Sequence, residues 1–180
     1  RLPKGEEYSA TPTPFRYIRV TDLQSGAVDE PALVYLKPEI QAEISRYIVN
    51  TGDVIISIAG SIGLVASVPV SLDGANLTEN AAKLVPREKG IYDEVFLAAF
   101  LQTSFAQSQI ASHVGQVTIG KLALFRIEKI RVSVPPLQTQ HRFREFTAAI
   151  ARQRATHQGA AAELDSLFGS LQHRAFQGEL

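Results

Sequence analysis

Two short polar segments, which are predicted to be loops because they lack regular periodicity, carry side chains that can hydrogen-bond to a ligand. Residues 76–80 read Asn-Leu-Thr-Glu-Asn, and residues 115–121 read Gly-Gln-Val-Thr-Ile-Gly-Lys. Asparagine and glutamine can pair bidentately with adenine, lysine can reach guanine or a phosphate, and serine or threonine can bond to either. In turns, the same side chains more often bond to their own backbone. The two segments therefore permit recognition of bases without requiring it.

The sequence lacks the motifs that usually mark a catalytic centre. Its four histidines are scattered, it has no cysteine, and it contains none of the glycine motifs typical of nucleotide binding or acyl transfer. The Gly-Ser-Ile-Gly sequence at 60–63 is too short to cradle a phosphate and is predicted to be a structural turn. We therefore expect a binding protein that performs no reaction itself and holds neither a metal ion nor a cofactor.

Charge and hydropathy narrow the classes of partner. The chain has 18 Lys or Arg and 18 Asp or Glu, which argues against binding nucleic acid through bulk positive charge. Residues 115–160 nevertheless hold eight basic and two acidic side chains, an excess most often found on a solvated helix face. No apolar run is long enough to span a membrane and no secretion signal opens the chain, so we expect a cytoplasmic protein without membrane contact. Because the chain starts at Arg1 and lacks methionine, we expect it to be a piece of a longer protein.

The elements that must position the polar segments are predicted to form a mixed, strand-rich α+β domain over residues 1–134. Short apolar and β-branched runs bounded by turn residues predict strands, and the runs at 54–58 and 64–68 predict a hairpin. A roughly helical spacing of apolar residues predicts helix between Asp93 and His113, where Asp93 and Glu94 suit the start of a helix. The predicted strands are residues 15–20, 33–36, 54–58, 64–68, 82–85 and 130–134.

The remaining residues, 135–180, form a second unit with a different pattern. No proline follows Pro136, which predicts one long helix from Pro136 to Phe176, about 60 Å in length. Two series of seven-residue spacing, four positions apart, indicate a coiled-coil contact surface, which we call the seam. The alternative is that the helix folds back on residues 1–134. The seam consists of Phe143, Ile150, His157, Leu164 and Leu171 together with Thr147, Arg154, Ala161, Phe168 and Ala175.

The order of these features resembles one half of the DNA-specificity subunit of type I restriction-modification systems, with one target recognition domain and one spacer helix. The resemblance spans nearly the whole chain, and its most specific part is the passage from Val-Pro-Pro-Leu into a helix that ends in Phe-x-Gly-Glu-Leu. One departure is Thr139, where the family usually has an acidic residue before Gln140. The matching stretches are residues 17–23, 52–57, 60–63, 115–116, 132–137 with Gln140, and 175–180.

The resemblance implies a noncatalytic protein that chooses the DNA sequence for its partners. Those partners would be double-stranded DNA, DNA methyltransferase (modification) subunits that methylate adenine, and a restriction and translocase subunit that cleaves DNA. It also implies that the long helix forms an antiparallel coiled coil, with a second half subunit or with a second copy of the chain in a homodimer. The division expected is residues 1–134 for recognition and residues 135–180 for spacing and pairing.

Two sets of residues are therefore candidates for function, and two other functions stay open. One alternative is the recognition module of a single-chain restriction-modification enzyme, and the other is a coiled-coil adaptor whose folded head binds protein. The candidates for DNA binding are Ser61, Thr78, Asn80, Gln116, Thr118 and Lys121. The candidates for helix pairing are Phe143, Ile150, His157, Leu164, Phe168 and Leu171.

Overall fold

The chain folds into two compact units, Arg1–Leu137 and Gln138–Leu180, in a computed structural model. The structure describes residues 2–24, 26–86, 88, 90–114 and 120–178. Gln116 and Thr118, two of the candidate DNA-binding residues, lie outside the described residues.

Short strands dominate the described part of the first unit. The strands are β1 (Arg16–Ile18), β2 (Leu23–Gln24), β3 (Ala27–Val28), β4 (Val34–Tyr35), β5 (Val54–Ser57), β6 (Val65–Ser67), β7 (Asn76–Leu77) and β8 (Ala81–Leu84). The helices are α1 (Pro38–Glu43), α2 (Glu94–Leu101), α3 (Ser104–His113), α4 (Leu124–Ile127) and α5 (Leu137–Phe176), with single 3-10 turns at Val20–Asp22, Glu30–Ala32 and Val70–Leu72. The expected strand-rich α+β class with a long C-terminal helix is confirmed.

The first sheet has the order β4-β1-β7 and joins distant parts of the chain. Tyr17 of β1 lies opposite Val34 of antiparallel β4 and opposite Asn76 of parallel β7. The sequence predicts residues 76–80 to be a loop, and this is wrong for Asn76 and Leu77, which form β7. The sequence around these two residues does not favour a strand. They form one because β1 and the bridge from Ile48 pair with them.

The second sheet has the order β6-β5-β8 and contains the predicted hairpin. In β5 all four residues are buried, and Ile55 pairs antiparallel with Ala66 of β6. Ile55 belongs to one hydrophobic cluster while Val54 and Ile56 belong to another. Because alternate side chains point to opposite faces of a strand, β5 lies between two hydrophobic cores. Packing on both faces therefore holds the strand in position.

The helix predicted between residues 93 and 113 is interrupted and consists of α2 and α3. Asp93 caps α2, because its carboxylate accepts hydrogen bonds from the N–H groups of Val95 and Phe96 at 2.9 and 3.1 Å. Thr103 caps α3 by accepting from the N–H of Ala106 at 3.3 Å. A threonine in extended conformation ends one helix and starts the next, so the two helices pack as separate elements.

The strand predicted at residues 130–134 is wrong, because no described strand pairs with this extended segment. The side-chain amide of Gln109 in α3 takes the place of a neighbouring strand. Its Oε1 accepts from the N–H of Arg131 at 2.9 Å, and its Nε2 donates to the carbonyl of Arg131 at 3.1 Å. The β-branched residues Ile130 and Val132 still pack partly buried against the second core. A side chain therefore satisfies backbone groups that a sheet would otherwise pair.

Most of the second unit belongs to the 40-residue helix α5, which confirms the predicted long helix. All residues from 151 to 176 are exposed. The larger seam side chains are among them, with Leu164 66% and Phe168 62% exposed. Across the described residues, the structure has no helix with the length and apolar character needed to cross a membrane. The pairing of α5 in a coiled coil stays a prediction.

Candidate nucleic-acid interface

Three of the candidate DNA-binding residues meet at the C-terminal end of β5. The N–H groups of Ile58 and Ala59 donate to the carbonyl of Asn80 at 2.7 and 3.2 Å. On the other side, Ala59 forms an isolated antiparallel bridge with Lys121. Ser61 follows two residues after Ala59, and the side chains of Ser61, Asn80 and Lys121 are all exposed. We call Ser61, Asn80 and Lys121, with the turn 60–63, the loop cluster.

The turn 60–63 is held in shape by a buried serine that the sequence analysis did not single out. The hydroxyl of Ser57 donates to the carbonyl of Ser61 at 2.5 Å and accepts from the N–H of Leu64 at 2.9 Å. Gly60 and Gly63 both have positive φ, 74° and 89°, which favours glycine at both positions. A serine within the apolar run of β5 is the only sequence signal for this role.

Helix α3 fixes the turn 60–63 from its other side. The side-chain amide of Gln107 donates to the carbonyl of Gly63 at 3.0 Å and to that of Leu101 at 2.7 Å. A Cβ added to Gly63 would come within 2.9 Å of Gln107 Oε1, so the helix and the turn are in close contact. The geometry of Ser61 is therefore set by β5 and α3 together, which is the preorganisation that a recognition surface needs.

Gly120, which lies between residues 115–119 and Lys121, also lies beside this turn. A Cβ built on Gly120 would lie 3.1 Å from Val114 Cγ1 and 3.8 Å from Ile62 Cδ1. The N–H of Leu122 donates to the carbonyl of Ile58 at 2.9 Å and holds the chain after Lys121 to the end of β5. The described residues that flank 115–119 thus belong to the same surface as the loop cluster.

Thr78, the remaining described candidate for DNA binding, is buried and supports the loop between β7 and β8. Its N–H donates to the carbonyl of Ile18 at 3.0 Å, and its hydroxyl lies 3.3 Å from a carboxylate oxygen of Glu79. The Thr78 hydroxyl also accepts from the N–H of Asn80 at 3.4 Å. Burial raises the pKa of the neighbouring Tyr17 phenol, while a hydrogen bond with Thr78 opposes that shift. Thr78 therefore orients Asn80 from below the surface.

Asn80 also lines an open cleft of about 630 Å³ beside the loop cluster. The walls of the cleft include Tyr8 and Tyr17, whose ring centroids are 5.6 Å apart, and Arg19. The Arg19 guanidinium donates to the buried carboxylate of Asp22 at 2.7 and 3.1 Å, so its charge is largely neutralised. The cleft therefore combines the Tyr8 ring and the Asn80 amide with charged side chains, which include Lys4 and Glu79.

Positive charge follows Lys121 along the chain. Among the described residues, the exposed Lys121 ammonium has no ion-pair or side-chain hydrogen-bond partner. Arg126 donates to the carbonyl of His113. The cationic groups of Arg126 and Lys129 lie 5.7 and 5.5 Å from the ring centroid of Phe125. A lysine beside an amide and a hydroxyl can bind a phosphate while its neighbours contact base edges.

Two other kinds of site find less support in the structure. A groove of about 480 Å³ is lined mainly by apolar residues such as Leu84, Phe96 and Leu124, which cannot distinguish bases by hydrogen bonding. In the part of the chain that the structure describes, no three His, Asp or Glu side chains are grouped as a metal site would need. The loop cluster is therefore the candidate functional surface of the first unit.

The candidate pairing residues share one face of α5. The spacing of three and four residues that places them there continues from Phe143, which is half-buried, to Leu171, which is 41% exposed. Ile150 and Leu164 are 50% and 66% exposed, and His157 is also exposed. A helix with such a stripe gains stability when another helix covers it.

Known proteins of one family resemble this chain in sequence. A family model for the "Type I restriction modification DNA specificity domain" matches residues 2–165. The specificity subunit of the type I restriction enzyme EcoBI from Escherichia coli is 27% identical over 167 residues, which cover 91% of this chain and 35% of that protein.

Two solved structures have a similar fold. The crystal structure of the HsdS subunit from Thermoanaerobacter tengcongensis matches with a TM-score of 0.59 and 21% identity, over 79% of this chain and 37% of that one. A chain from a structural study of complex assembly and conformational transition in the type I R-M system matches with a TM-score of 0.60 and 19% identity, over 99% and 42%. The chain spans between 35% and 42% of the length of these three relatives.

Proposed function

Because this chain belongs to the family of type I restriction-modification DNA specificity domains, we propose that it selects a DNA sequence for a type I restriction-modification complex. The observation that carries the proposal is the convergence of Ser61, Asn80 and Lys121 at the end of β5, on the family's fold. An amide, a hydroxyl and an ammonium group on one exposed surface are the side-chain chemistry that reads base edges and phosphates.

The chain itself is proposed to be noncatalytic, and its partners supply the reactions. DNA methyltransferase subunits would methylate adenine in the chosen sequence, and a restriction and translocase subunit would cleave unmodified DNA. The equal number of acidic and basic residues supports this division, because the partners can provide much of the contact with phosphate. Residues 1–134 would form the recognition domain, and residues 135–180 would form the spacer.

The seam of α5 is proposed to pair with a second helix. Exposed apolar side chains such as Ile150, Leu164 and Phe168 would be costly to leave in water along a helix of 40 residues. The second helix would come from a second half subunit or from another copy of this chain. A helix of about 60 Å is comparable with two turns of B-DNA, so it has the length to separate two recognition domains.

The proposal is tested in the assembled complex by changing the loop cluster. Asn80→Ala and Lys121→Ala are combined separately with the modification subunits, and the methylated sequences are mapped on a library of DNA sites at fixed salt. We expect Asn80→Ala to relax the preference at one base pair, at a cost of about 1–3 kcal/mol in discrimination. Lys121→Ala is expected either to relax one position or to weaken binding at all sites and lower the salt dependence.

Lys37→Ala is a matched control, because Lys37 is exposed at the start of α1 and pairs with Glu6 at 3.6 Å. It should leave the methylated sequence unchanged. Unaltered preference and affinity in both Asn80→Ala and Lys121→Ala would show that the loop cluster does not face DNA. A protein-binding adaptor would show no sequence preference with any of the three variants. Methyl transfer by the purified chain alone would contradict its noncatalytic role.

A further inference from the structure

Ion pairs divide most of the described basic residues of the first unit into two groups. The residues of one group each pair with a carboxylate, and they are Arg16, Arg19, Lys37 and Lys83. The residues of the other group form no ion pair with any described residue, and they are Lys121, Arg126, Lys129 and Arg131. Unpaired positive charge is therefore concentrated between residues 121 and 131, although the chain as a whole has no net charge.

Helix α4 and the turn that follows it separate this charge from the apolar groove of about 480 Å³. The residues of this segment that line the groove are Leu124, Ile127 and Glu128. The residues between them in sequence do not line it, and we call Phe125, Arg126 and Lys129 the cationic patch. Glu128 is the one acidic residue between positions 121 and 131 of the sequence. Because its side chain lies at the groove, the cations of the patch are not neutralised by their nearest acidic neighbour in the chain.

Phe125 holds the two cations of the patch at the protein surface, where it is itself 58% exposed. The guanidinium carbon of Arg126 lies 5.7 Å from the centroid of the Phe125 ring, and the ammonium nitrogen of Lys129 lies 5.5 Å from it. Both distances allow cation–π attraction. The two cationic groups are therefore no more than about 11 Å apart. Attraction to one ring also reduces the rotamer freedom that these long side chains lose when they bind a ligand.

Arg126 is also anchored by helix α3. Its Nη1 donates a hydrogen bond to the carbonyl of His113, the last residue of α3. The carbonyl end of a helix attracts positive charge, so this contact is favourable. A guanidinium has several N–H donors, and one bond to His113 leaves others for a ligand. Because Arg126 is already held in place, it loses little freedom on receiving an anion, which lowers the cost of binding.

The cationic patch lies close to the loop cluster. Phe125 follows Lys121 by four residues, which span at most about 14 Å between Cα atoms even in a fully extended chain. Between them, the N–H of Leu122 donates to the carbonyl of Ile58 at the end of β5. One turn of B-DNA is about 34 Å long, so a duplex that contacts Lys121 also has the length to reach the patch.

We propose that the cationic patch binds the phosphate backbone of the DNA whose bases the loop cluster contacts. Phosphates of one strand follow each other about every 3.4 Å along the helix axis, so cations up to about 11 Å apart can contact two or three of them. Such contacts fix the position of a protein on the duplex without selecting a base. Continuity of unpaired charge with Lys121 favours DNA over an acidic protein surface as the ligand. This inference rests on the proposed function and adds to it a contact that gives affinity and position.

Arg126→Gln and Lys129→Gln test the proposal in the complex assembled with the modification subunits. Affinity is measured at several salt concentrations for two DNA duplexes, one with the methylated sequence and one without it. We expect each variant to reduce the slope of log affinity against log salt by about 0.9, which corresponds to about eightfold weaker binding at roughly 0.1 M salt. The loss should be the same for both duplexes, and the methylated sequence should stay unchanged, because phosphates carry no base identity.

Arg16→Gln is the matched control, since it removes the same charge from a distant part of the first unit. Arg16 lies at the start of β1, whereas Asn80 follows the other end of the parallel strand β7. Its guanidinium pairs with Glu30 at 3.0 Å. The control should keep the affinity and the salt slope of the parent complex. An equal loss in Arg16→Gln would show that only net charge matters and would overturn the proposal.

Substitution of Phe125 tests whether the ring positions the two cations. Phe125→Leu removes the ring and should weaken binding to both duplexes about two- to fivefold, the range expected for loss of an exposed cation–π contact. Phe125→Tyr keeps the ring and should bind DNA like the parent complex. Both variants should unfold in urea like the parent chain, because Phe125 is exposed. Equal binding by the leucine and tyrosine variants would contradict the positioning role.

Other results would overturn the proposal in specific ways. Parent-like affinity and salt slope in both Arg126→Gln and Lys129→Gln would show that the patch does not face DNA. Weaker assembly with the modification subunits in analytical ultracentrifugation, at unchanged DNA binding, would assign the patch to an acidic protein surface. A changed methylated sequence would place the patch among the residues that read bases.

The test of the patch is separate from the test of the loop cluster. A lower salt slope in the patch variants, together with an unchanged sequence preference in Asn80→Ala and Lys121→Ala, would count against base reading by the loop cluster alone. A relaxed preference in Asn80→Ala, together with a parent-like slope in the patch variants, would count against the patch alone.

Discussion

Replacement of Ser57 by alanine should loosen the turn that presents Ser61 while leaving the hydrophobic cores intact. Ser57 is fully buried, and its hydroxyl joins both ends of the turn, at Ser61 and Leu64. Alanine keeps the Cβ and removes only the hydroxyl oxygen, so the space that is left is smaller than a methyl group. The cost therefore comes from lost hydrogen bonds.

The magnitude follows from the two bonds that Ser57 makes. The N–H of Leu64 would lose its partner in a partly buried position, which costs about 1–3 kcal/mol. The carbonyl of Ser61 belongs to an exposed residue, where water can replace the hydroxyl, and contributes about 0.5 kcal/mol. We expect Ser57→Ala to lower the free energy of unfolding by about 2 kcal/mol.

Urea unfolding monitored by tyrosine fluorescence isolates this effect. All five tyrosines precede residue 93 and the chain has no tryptophan, so the signal reports the first unit and not α5. Ser67→Ala in the neighbouring strand β6 is a matched control, with an expected change within about 0.5 kcal/mol. Equal stability of the two variants would refute the role of Ser57 in holding the turn.

Three further predictions test contacts of the first unit. Gly63→Ala should lower the free energy of unfolding in urea more than Gly60→Ala. Both glycines have positive φ, but of the two only Gly63 would bring an added Cβ within 2.9 Å of a side chain. Equal losses would contradict the close contact. Gln109→Leu should lower the free energy of unfolding by about 1 kcal/mol and speed hydrogen exchange at the N–H of Arg131. Unchanged exchange would exclude the hydrogen bond between the Gln109 amide and the Arg131 backbone. Asp22→Asn should lower the free energy of unfolding by about 3 kcal/mol, because it breaks the ion pair between a buried carboxylate and the partly exposed Arg19. A loss below about 1 kcal/mol in thermal or urea unfolding would disprove the structural importance of this pair.

Local patterns predict those parts of the fold that local interactions determine. The β5–β6 hairpin and the 40-residue helix were predictable, because short apolar runs joined by a glycine-containing turn and a proline-free stretch act within a few neighbouring residues. The break between α2 and α3 had a signal in Thr103, a good capping residue, which the apolar spacing concealed. The long heptad pattern also indicated a pairing surface.

Other features depend on contacts between distant residues. Asn76 forms a strand because β1 lies beside it, although nothing in its own neighbourhood favours one. The segment at 130–134 has strand-like residues, yet its backbone partner is the side chain of Gln109. Propensity describes the segment alone, whereas the partner comes from tertiary structure.

The candidate site shows the same division. Asn80 and Lys121 could be chosen from their side-chain chemistry, but their convergence with Ser61 depends on backbone hydrogen bonds to Ile58 and Ala59. The burial of Thr78 could not be predicted, because it follows from the pairing of β7 with β1. Residue type indicates possible chemistry, while the long-range pairing of strands decides which side chains reach the surface.

The most direct measurement of the central claim is a map of methylated DNA after exchange of the recognition unit. Residues 2–134 are replaced by those of another specificity domain, α5 is kept, and the chimaera is assembled with the same modification subunits. We predict that the recognised bases change to those of the donor, while replacement of α5 alone leaves the bases unchanged and alters only the gap between half-sites. The same bases after exchange of residues 2–134 would contradict the assignment of sequence recognition to this unit.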